Sequence, residues 1–174
     1  MEHNIILVNE KDEVIGYGEK MAVHRAAQLH RAFSIFVINS KKELLLQKRA
    51  HHKYHSGGLW TNTCCSHPLK GQDQEVTVHS RLLEEMGFDT RLKKLFNFIY
   101  RAKLENGLTE YELDHVYLGR FEGEPKPNPD EVCEWKWMDI DEFRTDLREN
   151  PNRYTYWVNH AFEQFYTYLK NEKE

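Results

Sequence analysis

The segment Glu110-Tyr111-Glu112-Leu113-Asp114-His115-Val116-Tyr117-Leu118 carries three carboxylates at alternate positions. Side chains on a β-strand alternate between faces, so Glu110, Glu112 and Asp114 would share one, about 6–7 Å from each to the next. Carboxylates that close repel unless water screens them or a cation joins them. Val116 and Leu118 continue the same face, which directs it towards the interior, where a buried carboxylate needs a partner. The alternative is a solvated edge strand whose charges guard against aggregation.

Histidines are the candidate partners. His24 and His30 flank a short segment, and His67 follows Cys65 by two residues in Trp60-Thr61-Asn62-Thr63-Cys64-Cys65-Ser66-His67-Pro68. Neutral imidazole with carboxylate oxygen is a ligand set for Mn²⁺, Zn²⁺, Fe²⁺ or, less readily, Mg²⁺. Taken singly, each of these histidines reads as a surface or capping residue. His51, His52 and His55, beside Lys48, Arg49 and Lys53, read as a loop facing an anion or solvent. Cys65 could act as acid, base or nucleophile if its thiolate is stabilised, or pack as a small buried hydrophobe. Only one of two adjacent cysteines can face a given side of an extended segment. Cys65 shares its side with Thr63 and His67, which leaves Cys64 to the core.

The elements that must position these groups follow from periodicity. Asn4–Val8 and Phe33–Asn39 are β-branched or aromatic runs, and Ser40-Lys41-Lys42 leads into Glu43–Gln47 as a hairpin. Residues 19–31 read as a loop or a short helix. Asp73–Met86 reads as a helix: Asp73 caps it, Val78, Leu82, Leu83 and Met86 form an apolar stripe, and Gly87 supplies a left-handed stop. Leu95–Arg101 and Glu110–Gly119 form a second hairpin across Glu105-Asn106-Gly107. Pro125, Pro127 and Pro129 stiffen a loop before a Trp135–Met138 strand. Trp157, Ala161, Phe165 and Tyr168 line one face of a helix in the tail Tyr154–Lys170.

Composition excludes several classes. The chain has 174 residues, 24 Lys+Arg against 28 Asp+Glu for a net charge of −4, and 40% hydrophobic residues. That is the profile of one globular domain without the basic footprint of a nucleic-acid binder. The longest apolar run, Ala32–Ile38, is broken by Ser34 and falls far short of the roughly 20 residues of a membrane span. The first residues lack the features of a secretory signal. Three cysteines, two of them adjacent, suit neither a disulfide framework nor paired zinc spacing, so the expectation is reduced thiols in the cytoplasm.

The run Thr61–Pro68, then Glu84-Glu85-Met86-Gly87, then Thr109-Glu110-Tyr111-Glu112-Leu113-Asp114 resembles the type I isopentenyl-diphosphate isomerases of the Nudix superfamily. The resemblance spans about residues 5–165. It implies an α/β (α+β) fold, a Nudix-like mixed β-sheet sandwiched between helices, as a single domain over residues 1–174. It implies interconversion of isopentenyl and dimethylallyl diphosphate, in isoprenoid precursor synthesis, by a 1,3-proton shift through a tertiary carbocation. It assigns catalysis to Cys65 and Glu112, support of the glutamate to Tyr100, and the surface facing the cation to Trp157. A divalent metal, Mn²⁺, Mg²⁺ or Zn²⁺, would sit among His24, His30, His67, Glu110 and Glu112. Glu85 would help bind a Mg²⁺ carried by the substrate diphosphate. Lys20, Arg49 and Lys53 match basic substrate contacts, and Arg81, one helical turn before Glu85, could join them. The implied partner is thus a small C5 diphosphate, with no nucleic acid or membrane, and the protein a monomer or homodimer.

One departure separates the chain from the hydrolases of that superfamily, whose box reads Gly-x5-Glu-x7-Arg-Glu-U-x-Glu-Glu-x-Gly-U, with U a bulky apolar residue. Here Ser66 and Gln72 stand at the first Gly and Glu, and Ser80-Arg81 at Arg-Glu. Loss of that box glutamate removes part of the metal cage that pyrophosphate hydrolysis requires. The departure favours the isomerase branch.

Overall fold

The structure is a computed structural model describing residues 3–172. Its first half holds strands β1 (Asn4–Val8), β2 (Val14–Glu19), β3 (His30–Ile38), β4 (Glu43–Arg49), β5 (Trp60–Thr61) and β6 (Cys64–Ser66), with helix α1 (Lys20–Arg25) after β2 and α2 (Gln74–Met86) after β6. Then follow β7 (Leu92–Lys103), β8 (Thr109–Arg120), β9 (Val132–Asp139), α3 (Ile140–Glu149) and α4 (Tyr156–Asn171). The short helix α1 settles the open reading of residues 19–31; Glu19 caps it, accepting from the backbone N–H groups of Met21 and Ala22.

Strand β3 is the axis of one mixed sheet. Its residues 32–38 are buried on both faces, the pattern of a central strand, and it runs parallel to β8 from His30↔Glu112 to Ile38↔Arg120. Its opposite edge meets β1 at His30, β6 from Phe33 to Ile35 and β4 at Ile38. The expected hairpin of β3 and β4 is therefore paired only at its mouth, Ile38↔Leu44. Beyond it β4 turns away to pair with β9, because each strand must bury two apolar faces and one tight hairpin cannot cover both. The β7–β8 hairpin forms as expected, with Asn106 and Gly107 both at positive φ in its turn.

Alternation divides the core into two layers. Phe33, Ile35, Val37, Leu45 and Tyr117 pack against Val78, Leu82 and Met86 of α2. Phe36, Ile38, Leu44, Leu46, Val116 and Leu118 pack against α3 and α4. Asp73 caps α2 through Val76 N–H, and Gly87 ends it at φ 75°, where an added Cβ would collide with the Lys126 carbonyl. Leu83 departs from the expected stripe and is 55% exposed. It lies 100° around the helix from Leu82, on the outer shoulder, while Glu85 takes the inward position. Helix α3 went unread in the sequence, although Asp139 caps it and Ile140, Phe143 and Leu147 are its buried residues.

The odd-numbered face of β8 carries a separate polar tie. His115 Nε2 lies 2.9 Å from Asp12 Oδ2, and Arg31 Nε donates to Asp12 Oδ1 at 2.8 Å. Burial, with Lys94 nearby, outweighs Asp12 and pushes the His115 pKa down to about 4. The folded protein therefore favours neutral His115, whereas the unfolded chain protonates near pH 6.5. As pH falls from about 6.5 to 4, wild type should lose about 1–3 kcal/mol of stability relative to His115→Gln. Urea midpoints of the two proteins across that range check this; parallel curves would refute it.

Candidate active site and metal centre

Three hydrogen-bonded strands set one row of side chains on one face. Tyr100 on β7 is in register with Glu112 on β8, and Glu112 with His30 on β3. One pleat further out lies Glu110, opposite Ala102. Glu110, Glu112 and Asp114 share their strand face with Val116 and Leu118, as alternation predicts, and all five are buried. Under α4 that face is apolar core; past the first turn of α4 it becomes an acidic wall.

The imidazoles close on this wall. His67 Nε2 is 2.8 Å and His30 Nε2 3.3 Å from Glu112 Oε1. His24 Nε2 is 3.7 Å from Glu110 Oε1, and His55 Nε2 is 2.6 Å from the same oxygen. His24 Nδ1 pairs with the Lys20 carbonyl at 2.6 Å and His30 Nδ1 with the Gln28 carbonyl at 2.9 Å. Those carbonyls accept, so each Nδ1 carries a proton, and in the neutral ring each Nε2 presents a lone pair to the centre. The Nε2 atoms of His24, His30 and His55 are buried and face these carboxylate oxygens. Tyr100 Oη lies 2.5 Å from Glu110 Oε2 and 2.6 Å from Glu112 Oε2, so its single proton is shared between the two carboxylates and holds them together.

The charges are strongly coupled. Burial raises the Glu112 carboxyl, but its hydrogen bonds to Glu110, His30 and Tyr100 outweigh this and bring its pKa to about 2. Burial and Glu112 raise Glu110 too, yet hydrogen bonds from His24 and His55 leave it below its ordinary value. Burial drives His67 well below the usual imidazole range. At His30 burial acts the same way but the Glu112 carboxylate wins and raises it. Lone pairs and carboxylate oxygens converging in a buried space are the donor set a divalent cation needs, and His24, His30, His67 and Glu112 lie close enough together to share one.

His55 corrects the sequence reading of its segment as a loop facing an anion or solvent. It is 2% exposed and, with His24 and Glu110, forms a second group able to grip a cation. Arg49 Nη2 donates to its carbonyl, and Glu105 Oε1 accepts from the next residue's N–H, so the end of β4 and the distant β7–β8 turn fold the loop inward. Its neighbours His51 and His52 are exposed. Nothing local separates His55 from them; the signal lies in the loop's tertiary anchors. His55→Gln should weaken divalent-ion binding about 10–100-fold, read by competition with a chelator. Unchanged affinity would make His55 a bystander.

Cys65 and Cys64 divide as strand parity requires. Cys64 is fully buried with Val78, Leu82 and Met86, whereas Cys65 packs beside Tyr100 and Trp157 and lines the cavity. Burial pushes both thiols up, so Cys65 holds its proton at neutral pH. Trp157 stands in the first turn of α4, its Nε1 donating to Asn62 Oδ1 at 3.2 Å. Asn62, which the sequence did not single out, is itself tied to the Ile35 and Cys64 carbonyls. Asp114 lines the cavity as well. Burial, with Glu112 nearby, raises its carboxyl well above the ordinary range, and Ser34 donates to it at 2.7 Å.

Cations line the cavity, Lys53 and Arg81 partly exposed at its mouth and Arg49 buried within it. Lys20, Arg49, Lys53 and Arg81 all line the same cavity. Lys20 Nζ lies 4.1 Å from the Tyr54 ring centre and Arg49 Cζ 5.2 Å from that of Trp157. Burial, with Lys53 nearby, lowers the Lys20 pKa. Glu85 is 5% exposed and accepts from Arg81 Nη2 at 2.7 Å and Gln47 Nε2 at 3.0 Å. Arg81, standing at the box glutamate, thus places a cation where the hydrolases of the superfamily carry a carboxylate. Gln72 accepts from Leu69 N–H in a turn and from the Thr77 hydroxyl.

A NUDIX domain model matches residues 28–158. "Isopentenyl-diphosphate Delta-isomerase 2" of Aromatoleum aromaticum is 51% identical over 158 residues, covering 91% of this chain and 84% of its own length. A protein of the same name from Photorhabdus laumondii is 52% identical over 157 residues, covering 90% and 89%. Solved structures share the fold at lower identity. A Deinococcus radiodurans protein aligns with TM-score 0.71 at 19% identity over 84% of this chain and 90% of its own. A MutT NUDIX hydrolase of Burkholderia pseudomallei aligns at 0.62 and 23% identity over 79% and 98%. With half its residues shared along nine-tenths of its length, the chain belongs to the Nudix family and, within it, to the isopentenyl-diphosphate Delta-isomerases.

Proposed function

We propose that this protein interconverts isopentenyl diphosphate and dimethylallyl diphosphate in isoprenoid precursor synthesis. The observation that carries this reading is that a thiol and a carboxylate line one cavity from opposite edges of β3, Cys65 on β6 and Glu112 on β8. An unactivated alkene is a very weak base, so the 1,3-shift needs a proton delivered to the terminal methylene carbon and another removed from C2. One is gained and one lost, leaving the composition unchanged. Thiol and carboxylate can each act in either role, which the reverse direction requires, and neither needs a covalent intermediate. Between the two steps the charge is a tertiary carbocation at C3. The Trp157 face offers it attraction of about 2 kcal/mol or more once desolvated, with no nucleophile to trap it.

Lys20, Arg49, Lys53 and Arg81 provide counter-charge for the diphosphate at the mouth, which leaves the hydrocarbon end to reach Cys65 and Glu112. His24, His30, His67, Glu110 and Glu112 would hold a divalent ion, Mn²⁺, Mg²⁺ or Zn²⁺, and Glu85 a Mg²⁺ that arrives with the diphosphate. Bound there, the ions would supply fixed positive charge that orients Glu112 and neutralises the phosphoryl oxygens. Tyr100 keeps Glu112 aimed by donating to it. The three free thiols, together with the absence of any membrane-spanning helix among the described residues, support a cytoplasmic protein.

Incubation with isopentenyl diphosphate and Mg²⁺ in D₂O should place deuterium in the dimethylallyl product. No exchange by protein with intact metal content would sink the reading, and phosphate release from nucleoside diphosphate compounds would favour a hydrolase instead.

A further inference from the structure

Glu131 belongs to no role assigned so far, yet it stands at the mouth of the cavity among the cations. It forms an ion pair with Lys53, and its Oε1 lies 3.6 Å from Arg81 Nη2. Its backbone is fixed from three directions. Glu131 N–H donates to the Asn128 carbonyl, Ala50 N–H donates to the Glu131 carbonyl, and the proline-stiffened loop before it is pinned by Lys126 and Asn128 to the last carbonyls of α2. The backbone that carries the carboxylate is thus held by the scaffold, and the carboxylate itself meets the side chains of Lys53 and Arg81. It takes up the cationic charge that a phosphoryl group would otherwise meet.

We infer that Glu131 is a specificity-determining residue: an internal carboxylate that competes with the incoming ligand for Lys53 and Arg81. A ligand with one phosphoryl group offers too little charge to draw both cations from Glu131 and also engage Lys20 and Arg49. A diphosphate can do so, because its two groups span more of the ring. The competitor costs affinity for every anion, but costs a single phosphate most, and so favours diphosphates. The inference rests on the isomerase reading, since it gives the reason this mouth takes a diphosphate.

Isothermal titration with inorganic pyrophosphate and with inorganic phosphate, at fixed Mg²⁺, tests it on wild type and Glu131→Gln. The neutral isostere should tighten pyrophosphate binding about threefold and phosphate binding about tenfold, narrowing the ratio between them. In a Lys53→Met background the same change should give little tightening, because Glu131 then has one fewer cation to release. If Glu131 instead only positions the cations, Glu131→Gln weakens pyrophosphate binding. Weakened or unchanged affinity for pyrophosphate, or an unchanged ratio between the two anions, overturns the inference. Deuterium incorporation by wild type decides the isomerase reading separately. A wild type that isomerises, beside a Glu131→Gln protein that binds no tighter, overturns this inference alone.

Discussion

Glu112→Gln is expected to lower kcat by about 10⁴-fold or more while leaving the fold intact. The amide matches the carboxylate in shape, so the packing between Tyr100 and His30 survives. What it loses is a base, an acid and a negative charge in one position. Proton transfer by a placed side chain contributes about 10²–10⁴-fold, and a metal ligand about 10–100-fold in metal affinity, so Glu112 bears both losses. The amide also turns an N–H₂ group towards the Tyr100 hydroxyl, a donor that in the wild type meets an acceptor. Glu110→Gln removes a charge from the same metal group but no proton-transfer step, and its loss should be smaller. Turnover in D₂O, metal content and thermal midpoints, measured on both variants, separate the effects. Glu112→Gln with more than about 1% of wild-type kcat would remove Glu112 from the chemistry.

The two cysteines should respond oppositely to the same substitution. Cys65→Ala is expected to cut turnover by about 10³-fold or more, with a nearly unchanged unfolding midpoint, because its thiol faces the cavity. Cys64→Ala should keep turnover but cost about 1 kcal/mol of stability, since it empties space among Val78, Leu82 and Met86 of α2. Adjacent residues that differ by one atom in each variant thus report on chemistry and packing independently. Activity lost with Cys64→Ala and kept with Cys65→Ala would reverse the assignment.

How far this site is legible in the sequence depends on which interactions are local. The face shared by Glu110, Glu112 and Asp114 needs nothing beyond the strand's period of two, and neither does the opposition of Cys64 and Cys65. Helix α2 carries its own cap at Asp73 and stop at Gly87. The residues offer His24, His30 and His67 as candidate partners of those carboxylates, and only the family resemblance joins them into one ligand set. In the structure it arises because β3 runs parallel to β8 in a register that sets His30 beside Glu112. His55 was invisible, because its loop is drawn inward by Arg49 and by Glu105, 50 positions further along the chain from His55.

By itself, the sequence determined which residue types occur, how strand and helix periods sort them into faces, and which family they resemble. Those properties follow from backbone geometry over a few residues. Tertiary structure alone decided that the first hairpin opens after one pair, that His55 joins the centre, and that Glu131 stands among the cations. Each of these turns on strands and loops far apart in sequence choosing neighbours. That choice is made by the burial of whole faces, a collective property that no local pattern encodes.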